Sequence, residues 1–279
     1  MERLVPKRKS RPVRFLFRRA TSALRCLPNF IIIGAQKSGT TSLFSYLKQH
    51  PQIRASFTKE VHFFDGGKDP GIDTYAKGLN WYKAHFPLQV NMGREVITGE
   101  ASPLYLFNPL APARIANALP AVKLIALLRN PADRAISHYY HEKRKNREPL
   151  PMLEAFGAEQ GRISAALKEQ NYKSLSYINY GYLKRGLYAE QLERYFKYFS
   201  RERMLVLKSE EFFSQPSATL SRTCKFLGVD HTFRFPDLEP RNTGKNKKPI
   251  DPKARDFLND YYHNHNMQLF KLTGTNLEW

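Results

Sequence analysis

The sequence predicts a single α/β domain of P-loop-like type, with a mostly parallel central sheet flanked by helices, and three observations carry that expectation. Short apolar runs alternate with helical spacing along most of the 279 residues. The first apolar run, Phe30 to Ile33, leads into a glycine loop and then a helix, the order in which a chain builds an anion site at a helix N-terminus. A second run, "LIALL", ends at Arg129 and is followed by Asn130, Pro131 and Asp133, which supply a cap, a first-position proline and a first-turn acid.

Each element has its own signal. In "TTSLFSYLKQH" the apolar positions Leu43, Phe44 and Leu47 share a helical face. Pro51 and a polar turn near Ser56 lead into "TKEVHFFDGG", expected as a loop, then a helix at "YAKGLNWYKAHF" and a short strand at "REVITGE". The strongest strand is "AVKLIALLRN", and the helix from Pro131 carries Ala135, Ile136, Tyr139 and Tyr140 toward the core before the charged run "HEKRKNREP". Residues 151–180 are weakly patterned and read as a mobile cover over a site. "YLKRGLYAEQLERYFKYF" predicts a helix, "RMLVLKSEEFF" a strand, and "SATLSRTCKFLG" a helix stopped by Gly228. A Pro-, Asn- and Lys-rich loop runs from Val229 to Ile250, and Asp251 with Pro252 opens a last helix ending near Met267. No repeat or linker divides the chain, so one domain is expected over 29–279, preceded by a basic arm over 1–28.

A hydrophobic content of 42% with 13% aromatics excludes a disordered chain. No run approaches the roughly 18 apolar residues of a membrane span, and the basic start lacks a signal peptide's apolar segment, so a soluble, unprocessed chain is expected. Cys26 and Cys224 are far apart and imply neither a disulfide framework nor a zinc site, which suits a cytoplasmic location. The net charge is +20, and within the first 28 residues nine Lys or Arg face only Glu2. A helix there places Leu16, Ala20, Ala23 and Leu27 on one face and Arg14, Arg18 and Arg25 on another, the pattern of peripheral contact with an anionic membrane. The other reading is a solvated arm that packs a few apolar residues on the domain.

The glycine loop "GAQKSGTTS" departs from the nucleotide-triphosphate pattern G-x-x-x-x-G-K-[ST]. Gly34 and Gly39 keep the spacing, but Lys37 stands before the second glycine and Thr40 and Thr41 follow it. A phosphate or sulfate against residues 37–42 meets amides, hydroxyls and Lys37 together. Ligands of such sheets sit at the carboxyl ends of strands, which adds Arg129, with Ser137 about two turns into the next helix. Arg129 suits bidentate contact with a second anion or, equally, a structural ion pair. The segment "RNTGKNKKP" is a third basic source, or a solvated loop.

Together "GAQKSGTTSL", "KEVHFFD", "LLRNPADRAISHY", "TGKNKKP" and "DYYHNHNMQLFKLTGTNLEW" resemble the sulfotransferases that use 3′-phosphoadenosine 5′-phosphosulfate (PAPS), above all the heparan sulfate 3-O- and N-sulfotransferase domains and their bacterial relatives. The likeness runs from Phe30 to Trp279. It implies that Lys37, Ser38, Gly39, Thr40, Thr41 and Ser42 hold the 5′-phosphosulfate, that Lys37 reaches the bridging oxygen between phosphorus and sulfur, and that no metal is needed. It also implies that Arg129 and Ser137 take the 3′-phosphate and that Gly244 and Lys245 close over the cofactor. Glu60 matches the family's catalytic base, and His62 a position near the acceptor.

The chemistry suits these residue types: a carboxylate takes the acceptor's proton, and a lysine with helix amides stabilises the departing phosphate, leaving adenosine 3′,5′-bisphosphate (PAP). The sequence departs from the glycan enzymes at "GEASPLY", where Ala101 replaces their lysine; Glu100, Ser102 and Tyr105 remain candidates for the acceptor cleft. The acceptor is expected to be a glycan or small metabolite with a hydroxyl or amine, with no specific nucleic acid. The alternatives are a P-loop nucleotide kinase, disfavoured because no lysine follows Gly39, and a non-enzymatic basic nucleic-acid-binding protein, which leaves the glycine loop and Glu60 unexplained.

Overall fold

The computed structural model describes residues 11–241, 250–275 and 277–279. In chain order the helices and strands are α1 (Arg11–Ala20), β1 (Phe30–Gly34), α2 (Thr40–Leu47), β2 (Ile53–Ala55), α3 (Gly78–Lys83), β3 (Ile97–Ala101), α4 (Ala111–Ala118), β4 (Lys123–Leu128), α5 (Pro131–Arg144), α6 (Met152–Gly157), α7 (Glu159–Lys168), α8 (Leu175–Tyr180), α9 (Tyr188–Phe196), β5 (Met204–Lys208), α10 (Ser209–Ser214), α11 (Pro216–Leu227) and α12 (Pro252–Thr273). Five strands form one sheet in the order β2-β3-β1-β4-β5. Every pairing is parallel. The expected α/β architecture is therefore present.

Alternation along the strands divides the apolar residues between the two faces. Ile31, Ile33, Leu124, Ala126 and Leu128 pack with Ile115 of α4, Tyr188, Leu192 and Tyr195 of α9 and Leu269 of α12. Phe30, Ile32, Ile125 and Leu127 pack with Leu43, Phe44 and Leu47 of α2 and Leu220, Cys224 and Leu227 of α11. Helices on both faces make the sheet doubly wound, and its parallel pairings bring the carboxyl ends of all five strands to one edge.

Several sequence expectations change. Residues 151–180 form α6, α7 and α8, and bury Met152, Ala155, Phe156, Ile163 and Ala166 at helical spacing. This is a packed layer, fastened by Glu148, whose Oε1 accepts from Arg162 Nη2 at 3.1 Å and whose Oε2 accepts from the Tyr182 hydroxyl at 2.8 Å. The end of "RMLVLKSEEFF" turns into α10, and the helix at "YAKGLNWYKAHF" is a 3-10 turn (Tyr75–Lys77) followed by α3. β2 spans three residues at the sheet edge, too short for its periodicity to be read. The last helix runs on to Thr273.

The arm departs most. The helix stops at Ala20, so Arg25 and Leu27 do not share its face, and Leu16 is exposed while Arg25 is buried. Neither expected reading of the arm placed its arginines inside.

Candidate active site

Every strand contributes to a cavity of about 710 Å³ at the carboxyl edge of the sheet. The loop after β1 supplies Gln36 to Thr41, the segment after β2 Glu60, that after β3 Pro103, that after β4 Arg129, and that after β5 Ser209 and Glu210. A cavity of this size at this position is where such a sheet binds ligands.

The loop after β1 bends through left-handed backbone at Lys37 (φ 73°) and at Gly39 (φ 97°), which caps α2. A Cβ at position 39 would lie 2.7 Å from the Phe213 ring, so both conformation and space require glycine there. The first-turn amides of α2, from Thr40 on, have no carbonyl partner within the helix. Ser38 has a buried hydroxyl close to that of Tyr188 but with no hydrogen bond of ordinary length among the described residues, and the Lys37 carbonyl accepts a 3.3 Å hydrogen bond from Arg129 Nη1. Burial, then the charges of Arg144, Arg129, Lys145 and Arg134, bring the Lys37 ammonium down to about 8. Among the described residues neither Lys37 nor Arg129 forms an ion pair with an acid. Two acids of the wall are held elsewhere, Asp133 by Arg255 at 2.6 Å and Glu210 through Oε1 by the Asn130 amide at 2.9 Å, while Glu210 Oε2 is buried without a hydrogen bond among the described residues. Asn130 caps α5 as expected, accepting from the Ala132 and Asp133 amides. Ser137 lines the cavity one turn beyond Asp133.

Across the loop stands Glu60, with left-handed backbone (φ 58°) and a side chain 30% exposed. Lys59 Nζ lies 2.7 Å from Thr41 Oγ1 and 3.0 Å from Glu60 Oε1, so one ammonium bridges the two walls. Lys68 Nζ donates to Glu60 Oε2 at 2.7 Å. His62 has Nε2 3.4 Å from Glu60 Oε2 and Nδ1 2.6 Å from Asp65 Oδ2. Burial raises the Glu60 carboxyl, but the His62 hydrogen bond and the charges of Lys68 and Lys59 outweigh it and hold the group far below the usual carboxylate range. Burial lowers His62, but Asp65 and Glu60 outweigh it and raise the imidazole above its ordinary value.

Beneath this wall lies a polar network that the sequence reading assigned to the acceptor cleft. Glu100 is fully buried and accepts from Tyr82 Oη at 2.7 Å, Ser102 Oγ at 2.7 Å and Tyr105 Oη at 3.1 Å. The network supports the Glu60 loop: Tyr105 Oη accepts from the Phe63 amide, Ser102 Oγ from the His62 amide, and the Ala101 carbonyl from the Glu60 amide. Glu100, Ser102 and Tyr105 are thus scaffold, and none lines the cavity.

Of the proposed donor residues, Lys37, Ser38, Gly39, Thr40, Thr41, Arg129 and Ser137 share the cavity wall with Glu60. Ser42 does not: its hydroxyl accepts from the Arg241 amide at 2.8 Å and ties α2 to the segment after α11. His62 is buried behind Glu60. Gly244 and Lys245 lie outside the described residues. The sequence reading missed Lys68, His141, Lys145 and Phe213 in the wall. Strand-end position would have pointed to Phe213, whereas nothing in the spacing of Lys68 placed it on Glu60.

An anion cradle of amides, hydroxyls and a lysine at the end of β1, facing a carboxylate, is the equipment of a group-transfer enzyme of P-loop-like fold. The sulfotransferase domain family matches residues 27–270, and the chain belongs to it and is a sulfotransferase. It is 32% identical over 272 residues to the human bifunctional heparan sulfate N-deacetylase/N-sulfotransferase 2, covering 88% of this chain and 29% of that protein. It is 27% identical over 325 residues to the membrane-associated sulfotransferase kil1 of Dictyostelium discoideum, covering 92% of this chain and 67% of that one. The crystal structure of a sulfotransferase from Alicyclobacillus acidocaldarius superposes with a TM-score of 0.68 at 35% identity, covering 88% of this chain and 96% of that one. The kinase and the non-enzymatic nucleic-acid-binding alternatives are set aside.

The cytoplasmic location expected from composition is corrected by the Dictyostelium relative, which is membrane-associated. Cysteine usage and the lack of an apolar run bear only on disulfides and membrane spans, and surface association needs neither. No helix among the described residues is long and apolar enough to cross a membrane.

Proposed function

We propose that the sulfuryl donor is PAPS and that transfer is an in-line displacement onto a hydroxyl or amine of a glycan or small-molecule acceptor. The observation that carries the reading is the Lys59 bridge, which sets the Glu60 carboxylate one ammonium away from Thr41 at the head of α2. The buried Ser38 hydroxyl and the cations Lys37 and Arg129, which pair with no acid among the described residues, fit an anionic donor. In this reading Lys37, Ser38, Gly39, Thr40 and Thr41 hold the 5′-phosphosulfate, Ser42 contributes its amide, Arg129 and Ser137 take the 3′-phosphate, and Gly244 with Lys245 closes over the cofactor. Residues 1–28 act as an arm and 29–279 as the catalytic domain. The partners are the acceptor and, at the arm, an anionic membrane surface.

Glu60 receives the proton of the attacking hydroxyl or amine as the new bond to sulfur forms and the bond from sulfur to the phosphate oxygen breaks. Lys37 and the α2 amides stabilise the charge left on that phosphate. A carboxylate held by two ammonium groups is a weak base, so Lys59 and Lys68 must loosen. A dianion beside Thr41 competes for them and couples donor binding to release of the base.

Calorimetry with PAP in the presence of a chelator tests the donor assignment: binding is expected without metal, and no binding, or binding only with magnesium, overturns it. Arg129→Ala is expected to weaken PAP by about 1.5–3 kcal/mol, the scale of a hydrogen bond to a charged group. It should leave the affinity of an analogue lacking the 3′-phosphate nearly unchanged, and equal losses for both make Arg129 structural.

A further inference from the structure

The first helix turns its apolar side outward. Along α1, Val13, Leu16, Phe17 and Ala20 follow the i, i+3, i+4, i+7 spacing of one stripe. All four are exposed, Val13 by 69%, Leu16 by 64% and Phe17 by 63%. Phe15 and Arg18 hold the inward side instead. The Phe15 ring lies 4.9 Å from His85 and 6.1 Å from Trp81. Arg18 donates from Nε to the Ala84 carbonyl at 2.6 Å and from Nη2 to the Phe86 carbonyl at 2.7 Å. Arg25, 2% exposed, donates from Nη1 to the same Phe86 carbonyl at 2.8 Å. Leu24, on the turn after α1, is 62% exposed, and Val90, in the 3-10 turn Gln89–Asn91 reached through the pairing of Arg25 with Leu88, is 83% exposed. The five most exposed large apolar side chains among the described residues thus gather on one helix, the turn after it and one adjoining loop.

Charge decides what covers them. Exposed Arg14 and Arg19 flank the stripe, and no acid occurs from Arg11 to Arg25. A second copy of the chain would bring the same positive charge to the contact, whereas an anionic bilayer supplies both apolar depth and negative headgroups. We infer that Val13, Leu16, Phe17, Leu24 and Val90 enter the interface of an anionic lipid bilayer, with Arg14 and Arg19 against the headgroups. The inference rests on the membrane partner of the proposed function and gives it a surface; it is independent of the donor. Arg18 also lies over the Phe57 ring, 4.6 Å from its centroid and three residues before Glu60, so the docked helix is fastened to the segment that carries the base.

Co-sedimentation of the full chain with vesicles of phosphatidylcholine alone, and with about a third phosphatidylserine, tests this. Association with the anionic vesicles is expected at about 0.1 M salt, at least about tenfold stronger than with neutral ones. Leu16→Ser with Phe17→Ser, and separately Arg14→Glu with Arg19→Glu, should each lower partitioning at least about tenfold while leaving PAP affinity and thermal midpoint unchanged. No association with anionic vesicles, or undiminished association of both variants, overturns the inference. So does a lipid-free dimer that the Leu16/Phe17 variant disperses, since a second copy then covers the stripe. A chain that binds PAP but not vesicles fails this inference alone, and one that binds vesicles but not PAP fails only the donor reading.

Discussion

The two walls of the cavity differ in how far the protein's own groups satisfy them. At the proposed donor wall Lys37 is crowded by Arg129, Arg134, Arg144 and Lys145, and the buried Ser38 hydroxyl makes no hydrogen bond of ordinary length among the described residues. At the acceptor wall Glu60 is held by Lys59, Lys68 and His62, and His62 by Asp65. Clustered cations store repulsion that a bound anion relieves, so the proposed donor wall is expected to gain binding energy from its own frustration. The acceptor wall works in the opposite sense, since its carboxylate is fully ionised yet weakly basic until cations are drawn from it. The donor is therefore expected to bind first and to prepare the base.

The largest effect that tests this contrast comes from the proposed base. Glu60→Gln keeps the shape of the acceptor wall but cannot accept a proton, and it should lower kcat by roughly a hundredfold to ten-thousandfold. PAP affinity should be retained, whereas Lys37→Ala is expected to damage both binding and transfer. Near-normal turnover in Glu60→Gln would remove this residue from the mechanism. Glu100 cannot replace it, because burial raises its carboxyl and three hydroxyls already occupy it.

A smaller effect separates the clamp from the base. Removing Lys68 in Lys68→Met takes away one of the charges that depress the Glu60 carboxyl, so its titration moves upward. The acid limb of the kcat/KM profile should shift to higher pH by less than about one unit, since a half-exposed ion pair contributes no more than about 1 kcal/mol. A shift toward lower pH would contradict the arrangement.

The smallest effect is at the donor wall. Lys37 is lowered to about 8 by burial and the neighbouring cations, and a bound dianion raises it, so above pH 8 binding takes up protons. Calorimetry of PAP at pH 8.5 in buffers of differing ionisation enthalpy should show up to about one proton absorbed, with affinity falling as pH rises through about 8. Proton release, or no linkage, would mean that the ammonium is already charged and paired.

Much of the fold could be read along the chain because it is local. Phe30 to Ile33 and Leu124 to Leu128 are apolar without interruption, as strands buried on both faces must be, and Asn130 with Pro131 marks a helix start within three residues. The same holds for the glycine loop, where Lys37, Gly39, Thr40 and Thr41 are neighbours in sequence and in space. α4, β2 and the packing of α6 to α8 escaped because their apolar positions are few and acquire meaning only against partners far away in the chain. Glu100 misled for a related reason: an acid beside Ser102 in a motif looks available, and only Tyr82, 18 residues before it, shows that it is core.

By itself the sequence determined the kind of sheet and the glycine loop after its first strand, and it supplied the residue types on which the proposed chemistry rests, since these follow from short-range spacing and from side chains that carry their properties wherever they lie. Tertiary structure alone decided that Lys68 and Lys59 meet on Glu60, that Arg129 has no acid partner among the described residues, and that Arg18 and Arg25 turn inward while Leu16 and Phe17 face out. A helical wheel assigns faces but not which face meets the domain. That choice depends on carbonyls at Ala84 and Phe86, which accept from arginine and offer leucine nothing.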